Sequence, residues 1–135
     1  MKCLIAEDDS ATRKLMQRWL SQVSDCDIAV NGIEAMDAFS GALAQGSPYD
    51  LICLDIMMPK MDGHQTLEMI RQIEIEQGIA TPDSVKVIMT TALGDSKHVM
   101  SAFHEGCMAY IVKPVKKQSL LEEIEKLGLI SIKAS

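Results

Sequence analysis

The chain reads as one doubly wound α/β domain, a five-stranded parallel sheet with helices on both faces. Three observations predict it. Five short apolar runs recur along the 135 residues, stretches of helical period separate them, and four of the runs end abruptly in polar residues. Regular β-α alternation favours a parallel sheet with helices on either side. A chain of this length is one ordinary domain, able to bury roughly two-thirds of the surface its unfolded form exposes.

The predicted strands are residues 2–6, 26–30, 51–54, 85–90 and 109–112, each brief and apolar as buried parallel strands are. Helical periodicity fills the intervals. Ala11, Leu15, Trp19 and Val23 recur every four residues after a Ser10/Thr12 start, Met36, Phe39 and Leu43 mark a second helix, and Leu67, Ile70 and Ile73 a third. A fourth stripe, Val99, Ala102 and Phe103, stops at Gly106, and a fifth, Leu120, Leu121, Ile124 and Leu127, stops at Gly128. Gly46-Ser47-Pro48 and residues 78–83 are loops, and the sequence shows no repeat, low-complexity tract or linker. Residues 1–128 are read as the domain and 129–135 as a short C-terminal tail.

Composition narrows the function. Hydrophobic residues make up 47% and aromatics only 4%, so aliphatics and the ten methionines must build the core. No apolar stretch approaches the roughly 20 residues needed to span a bilayer, and Met1-Lys2 leads straight into a strand. A cytoplasmic protein without membrane insertion is expected. The four cysteines lack CxxC spacing, and Cys3 and Cys53 sit inside apolar strands, which suits reduced, buried thiols. Net charge is −6 with scattered basic residues, which disfavours direct nucleic-acid binding. The 22 residues after Lys113 are too few for an appended DNA-binding domain, so a stand-alone unit is expected.

Function is carried by the strand ends. Glu7-Asp8 follow the first strand, Asp55 the third, Thr91 the fourth and Lys113-Pro114 the fifth. In an open parallel sheet these ends share one edge, where ligands bind. Three carboxylates packed together raise each other's proton affinity unless a cation holds them ionised. A divalent metal and phosphoryl chemistry are therefore expected.

These residues resemble the response-regulator receiver domain of two-component signalling. The likeness covers essentially the whole chain: Leu4-Ile5-Ala6-Glu7-Asp8-Asp9, then Leu54-Asp55-Ile56-Met57-Met58-Pro59 with Asp62-Gly63 behind it, Thr91-Ala92 and Lys113-Pro114. Each string is weak alone; all four, in order at the ends of the first, third, fourth and fifth strands, are specific. The strand order 2-1-3-4-5 is borrowed from flavodoxin-like architecture, of which receivers are a standard example, and is not deduced. In such domains a basic residue lies five positions after the metal-ligating acid, and Arg13 is five after Asp8. Glu7-Asp8 is then the functional pair, and Asp9 caps the first helix.

The resemblance implies a mechanism. Asp55 is the phosphoryl acceptor and forms an acyl phosphate, a form of covalent carboxylate catalysis. Mg2+ is bound by Asp8, Asp55, the Met57 carbonyl and waters, one of them held by Glu7. Thr91 and Lys113 contact phosphoryl oxygens, and the Lys113-Pro114 bond is cis. The donor is a phosphohistidine on a sensor histidine kinase or a histidine phosphotransfer protein. Thr91 and Tyr110 form the switch, which remodels the face made by the fourth helical stripe, the fifth strand and the fifth stripe, including Lys97, His98, Tyr110, Lys116 and Lys117. The chain catalyses only its own phosphorylation and dephosphorylation and is not otherwise an enzyme; its downstream partner is unidentified. Residues before the fifth-strand aromatic, Met108-Ala109, lack the acids of receivers that dimerise through this face.

Other classes fit less well. A flavin- or nucleotide-binding protein needs phosphate-cradling amides after the first strand, where Glu7-Asp8-Asp9 repel an anion. A phosphatase with an aspartate nucleophile needs a second carboxylate just beyond it, and position 57 is Met. Within the family, a constitutive binding module or phosphate sink is the alternative.

Overall fold

The computed structural model describes residues 1–92 and 107–131. The predicted fourth stripe, with Leu93, Lys97 and His98, lies outside the described residues. The strands are β1 (Lys2–Ala6), β2 (Asp25–Ala29), β3 (Leu51–Asp55), β4 (Lys86–Thr91) and β5 (Ala109–Val112). Between them run α1 (Ser10–Leu20), α2 (Gly32–Ala44), α3 (Gly63–Glu76) and a 3-10 turn (Thr81–Asp83), and the C-terminal helix spans Lys117–Lys126. All strand pairs are parallel, in the order β2-β1-β3-β4-β5.

Alternation along each strand creates two cores. Leu4, Ile52, Leu54, Val87 and Met89 point to one face and pack against Ala35 and Phe39 of α2 and Leu67 and Ile70 of α3. Cys3, Ile5, Leu51, Cys53, Ile88 and Ile111 point to the other, against Met16 and Leu20 of α1 and Leu120 and Ile124 of the C-terminal helix. β3 is covered on both faces and buried at every residue, which is why it reads as an unbroken apolar run. β2 departs from the expected apolar pattern. It is an edge strand, runs from Asp25 rather than Cys26, and buries only Ala29 fully.

The first helix also differs. Ala11, Leu15 and Val23 are exposed, and the buried stripe is Met16 and Leu20, with Trp19 partly buried beside it. Apolar residues lie on two adjacent rows of this helix, and the sheet takes the second. Val23 lies beyond the helix end, where the Ser21 N–H donates to Gln17 O.

Side-chain caps begin α1, α2 and α3, which leave the carboxyl edge of the sheet, whereas the C-terminal helix starts after Lys116 without one. Asp9 accepts from the Thr12 N–H, Asn31 from the Glu34 N–H, and Asp62 from the Gln65 N–H, whose side chain returns a bond as a capping box. The Asp9 and Asp62 caps fix the β1–α1 and β3–α3 turns that follow the strand ends. Opposite them, at the amino edge, Glu74 is buried and holds Arg71 at 2.7 Å and the Val85 N–H at 2.7 Å. That bond starts β4 one residue later than predicted, at Lys86.

Candidate functional site

Strand register brings the polar ends together. Ala6 pairs with Leu54 and Asp55 with Thr90, so Glu7 and Asp55 stand on neighbouring strands, while Thr91 pairs with Val112, one residue before Lys113. Backbone bonds continue the ladder past the strand ends. The Glu7 N–H donates to Ala29 O at 3.0 Å, the Ile56 N–H to Thr90 O at 3.0 Å and the Lys113 N–H to Thr91 O at 2.7 Å.

Glu7 and Asp55 are almost completely buried, at 1% and 3% exposure, whereas Asp8 is exposed. Carboxylate oxygens of all three lie within 4.8 Å of one another. Lys113 is the cation that answers them: its Nζ is 2.9 Å from Glu7 Oε1, donates to Glu7 Oε2 at 3.2 Å and is 3.3 Å from Asp55 Oδ2. The Lys113-Pro114 peptide is cis. Glu7 Oε2 also accepts from the Asp9 N–H at 3.1 Å, and Asp55 Oδ1 from the Met57 N–H at 3.2 Å.

The acidic cluster is held from behind. Arg13 Nη1 donates to Glu7 O at 2.9 Å and to Asp8 O at 3.4 Å, which fixes the backbone of the acidic pair. Asp9 turns away from the cluster, its Oδ2 taking the Thr12 N–H at 2.9 Å and the Thr12 hydroxyl at 2.6 Å. Those bonds hold its carboxyl below the ordinary range. Behind Asp55, the Gly63 N–H donates to Ile56 O at 2.8 Å. A Cβ at Gly63 would meet Asp55 O at 2.5 Å, so α3 approaches the strand end only because this residue has none. Sequence reasoning noted Asp62-Gly63 but not this close approach; an Asp-Gly pair at a helix start behind a strand-end acid was the available signal.

Burial, then Glu7, push the Asp55 carboxyl up to about 8, with Lys113 opposing. On Lys113, burial works against the charge but Glu7 and Asp55 outweigh it, and the ammonium is raised above its ordinary value. Glu7 Oε1 and Asp55 Oδ2 lie near Nζ yet receive no well-directed hydrogen bond. With Asp55 ionised, three carboxylates face the Lys113 ammonium at this edge, and two of their buried oxygens keep spare lone pairs. A hard, oxygen-seeking dication fits this donor set.

The remaining strand-end residues have looser surroundings. Thr91 is buried at the end of β4, and its hydroxyl reaches Ala92 O only at 3.5 Å, a weak bond. Met57 lies beside Asp55 and is 62% exposed. Tyr110 sits on β5 opposite Met89, half-exposed, between the buried Ala109 and Ile111.

Comparison with known proteins agrees with this geometry. The family model described as the response regulator receiver domain matches residues 3–125. The chemotaxis protein CheY of Listeria monocytogenes is 35% identical over 126 residues, which cover 91% of this chain and 95% of that protein. Similarity to ycf29 of Porphyra purpurea, which bears a transcriptional-regulator name, is 34% over 125 residues, or 92% of this chain and 54% of that protein. The chain thus spans about half the length of some relatives and nearly all of others. Among solved structures, the CheX-CheY-BeF3-Mg2+ complex of Borrelia burgdorferi contains a chain with TM-score 0.78 and 26% identity, covering 95% of this chain and 89% of that one. An extensive family match, laid over five parallel strands whose polar ends meet at one edge, leads to one conclusion: the chain belongs to the response regulator receiver domain family.

Proposed function

We propose that this chain is a phosphorylation-dependent switch in which Asp55 accepts a phosphoryl group from a phosphohistidine. The observation that carries the reading is the position of Lys113, against both Glu7 and Asp55 at the edge where the acidic pair lies. Nucleophilic attack by an Asp55 carboxylate oxygen forms the P–O bond of an acyl phosphate as the P–N bond to the donor histidine breaks. Lys113 neutralises the incoming phosphoryl oxygens, and the weakly engaged Thr91 hydroxyl is available to turn and donate to one of them. The Met57 N–H holds one Asp55 oxygen so that the carboxylate keeps its orientation during transfer.

Asp8, Asp55 and the Met57 carbonyl would hold Mg2+, with Glu7 orienting a bound water. When bound, the ion supplies positive charge that lets the two anions approach. Arg13 keeps the Glu7-Asp8 backbone in place, and Asp9 is excluded from the ligand set by its bonds to Thr12.

The output is conformational. A phosphoryl group adds about −1.5 to −2 charges, enough to draw in the Thr91 hydroxyl. Tyr110 then turns inward from its half-exposed position and reshapes the face that β5 shares with the C-terminal helix, where Lys116 and Lys117 are exposed. The receiver unit is taken as residues 1–128 with 129–135 as a tail, although Leu129 and Ile130 pack against the core. The donor is a sensor histidine kinase or a histidine phosphotransfer protein, the compartment is the cytoplasm, and the effect passes to a downstream protein. Among the described residues no helix is long and apolar enough to cross a membrane.

Transfer from a phosphorylated histidine phosphotransfer protein tests the reading. Label is expected to move to this chain in the presence of Mg2+ and to stay on the donor when the metal is chelated. Retention on the donor under both conditions would favour a constitutive binding module.

A further inference from the structure

Away from the acidic site, three thiols lie on one face of the sheet. Cys3 on β1 and Cys53 on β3 are buried in the core beneath α1 and the C-terminal helix, and Cys26 on the edge strand β2 packs against the same core while remaining partly exposed. Register separates the two thiols that flank Cys3. Cys3 pairs directly with Cys26, whereas its partner on β3 is Leu51, two residues before Cys53.

That difference decides which pair can be bridged. Directly paired residues on neighbouring strands have Cα atoms roughly 4.8 Å apart, within the roughly 4.4–6.8 Å a disulfide spans. A two-residue offset adds about 6.6 Å along the strand and puts Cys53 about 8 Å from Cys3, beyond that range.

We propose that Cys3 and Cys26 form a redox-modifiable pair, with Cys26 the thiol that meets a hydroperoxide and Cys3 the thiol that resolves it into an intramolecular disulfide. Exposure assigns the roles: an oxidant reaches Cys26 at the sheet edge and does not reach Cys3, at 0% exposure. Hydrogen bonding agrees. The Cys3 thiol, together with Ser21 and Ser24, favours the Cys26 thiolate and lowers its pKa to about 7 against the effect of burial. The same contact, with Cys53 and burial adding to it, holds Cys3 protonated.

The chemistry balances in two steps. The Cys26 sulfur attacks one peroxide oxygen, an S–O bond forms as O–O breaks, and the leaving hydroxide takes the thiol proton as water. The Cys3 thiol then gives its proton to the sulfenic oxygen as its sulfur attacks Cys26 sulfur, so that S–S forms as S–O breaks and the hydroxyl leaves as a second water. Two thiols are oxidised and one hydroperoxide is reduced. The link joins the amino-terminal parts of β1 and β2, at the opposite end of β1 from Glu7, so the acidic site remains free.

The full chain is treated with hydrogen peroxide under native conditions, remaining thiols are alkylated, and the digest is mapped by mass spectrometry. The expected result is loss of two of the four thiols, a Cys3–Cys26 linked peptide, and full reversal by dithiothreitol. Cys26→Ser is expected to slow thiol loss by about tenfold or more, since the accessible thiolate is gone. Cys3→Ala is expected to leave a dimedone-reactive sulfenic acid on Cys26. Linkage of Cys3 to Cys53, preferential oxidation of Cys107, or unchanged kinetics in Cys26→Ser would each overturn the proposal. Cys26 is partly exposed, so its substitution tests the idea even if the Cys3 variant folds poorly.

Discussion

Lys113 and Glu7, 106 positions apart in sequence, meet at 2.9 Å between Nζ and Oε1. One ammonium thus stands against two buried carboxylates, because Asp55 Oδ2 is 3.3 Å from the same nitrogen. Its removal leaves Glu7 and Asp55 without their shared cation. Lys113→Met is expected to destabilise the metal-free protein, by less than the roughly 3–5 kcal/mol of a fully buried pair because the lysine is partly exposed. Mg2+ is expected to stabilise the variant more than the wild type. Urea unfolding with chelator and with Mg2+ measures both; an equal metal effect would mean that Lys113 does not oppose the cation.

Stability of the metal-free protein is expected to fall as pH rises from about 5 to 8. The unfolded Asp55 carboxyl releases its proton near pH 3.9, while the folded one, raised by burial and by Glu7, holds it to about 8. Between these values the folded state carries more protons than the unfolded state, so the slope of stability with pH is negative. Asp55→Asn is expected to flatten the slope and to exceed wild-type stability at pH 8 by at least about 1.4 kcal/mol, the worth of one pKa unit. Saturating Mg2+ is expected to flatten it in the wild type. A rising metal-free slope would contradict the direction assigned to Asp55.

Asp8 and Asp9 are adjacent but are expected to behave differently. Asp8→Ala is expected to abolish Mg2+ binding in titration calorimetry. Asp9→Ala removes the cap on Thr12 and lowers thermal stability, with Mg2+ affinity little changed. Trp19 is a poor reporter, since ten residues of helix place it about 15 Å from the acidic turn. Equal loss of affinity in both variants would move the ligand register by one.

The strand-end acids, threonine and lysine were legible because a parallel sheet aligns its carboxyl ends whatever the strand order. Less visible was anything that depends on which neighbour a residue faces. Leu15 and Met16 are equally apolar, and only the docked sheet selects Met16 for the core of α1. β2 was read as buried although an edge position lets Asp25 and Asp27 face water. Glu74 gave no sign of burial, since its partners Arg71 and the Val85 N–H come from its own helix and from a distant turn. The Cys3–Cys26 pairing likewise requires knowing that β1 and β2 are adjacent and in what register.

Met57 is expected to limit hydrolysis of the phosphorylated form. Its exposed thioether stands two residues beyond Asp55 and cannot orient an attacking water. Met57→Asn combined with Leu93→Glu is expected to speed loss of the acyl phosphate by about tenfold, only about 1.4 kcal/mol of barrier. Decay after removal of the donor measures this; an unchanged or slower rate in the variant would show that these side chains do not set the lifetime.

Phosphorylation of Asp55 is the central claim, and acetyl phosphate with Mg2+ tests it without any partner protein. Intact-mass and peptide analysis of the wild type is expected to show one phosphoryl group, on the peptide containing Asp55, lost on treatment with hydroxylamine. Asp55→Asn is expected to show none. Undiminished phosphorylation of Asp55→Asn, or a modified wild-type peptide that lacks Asp55, would contradict the account.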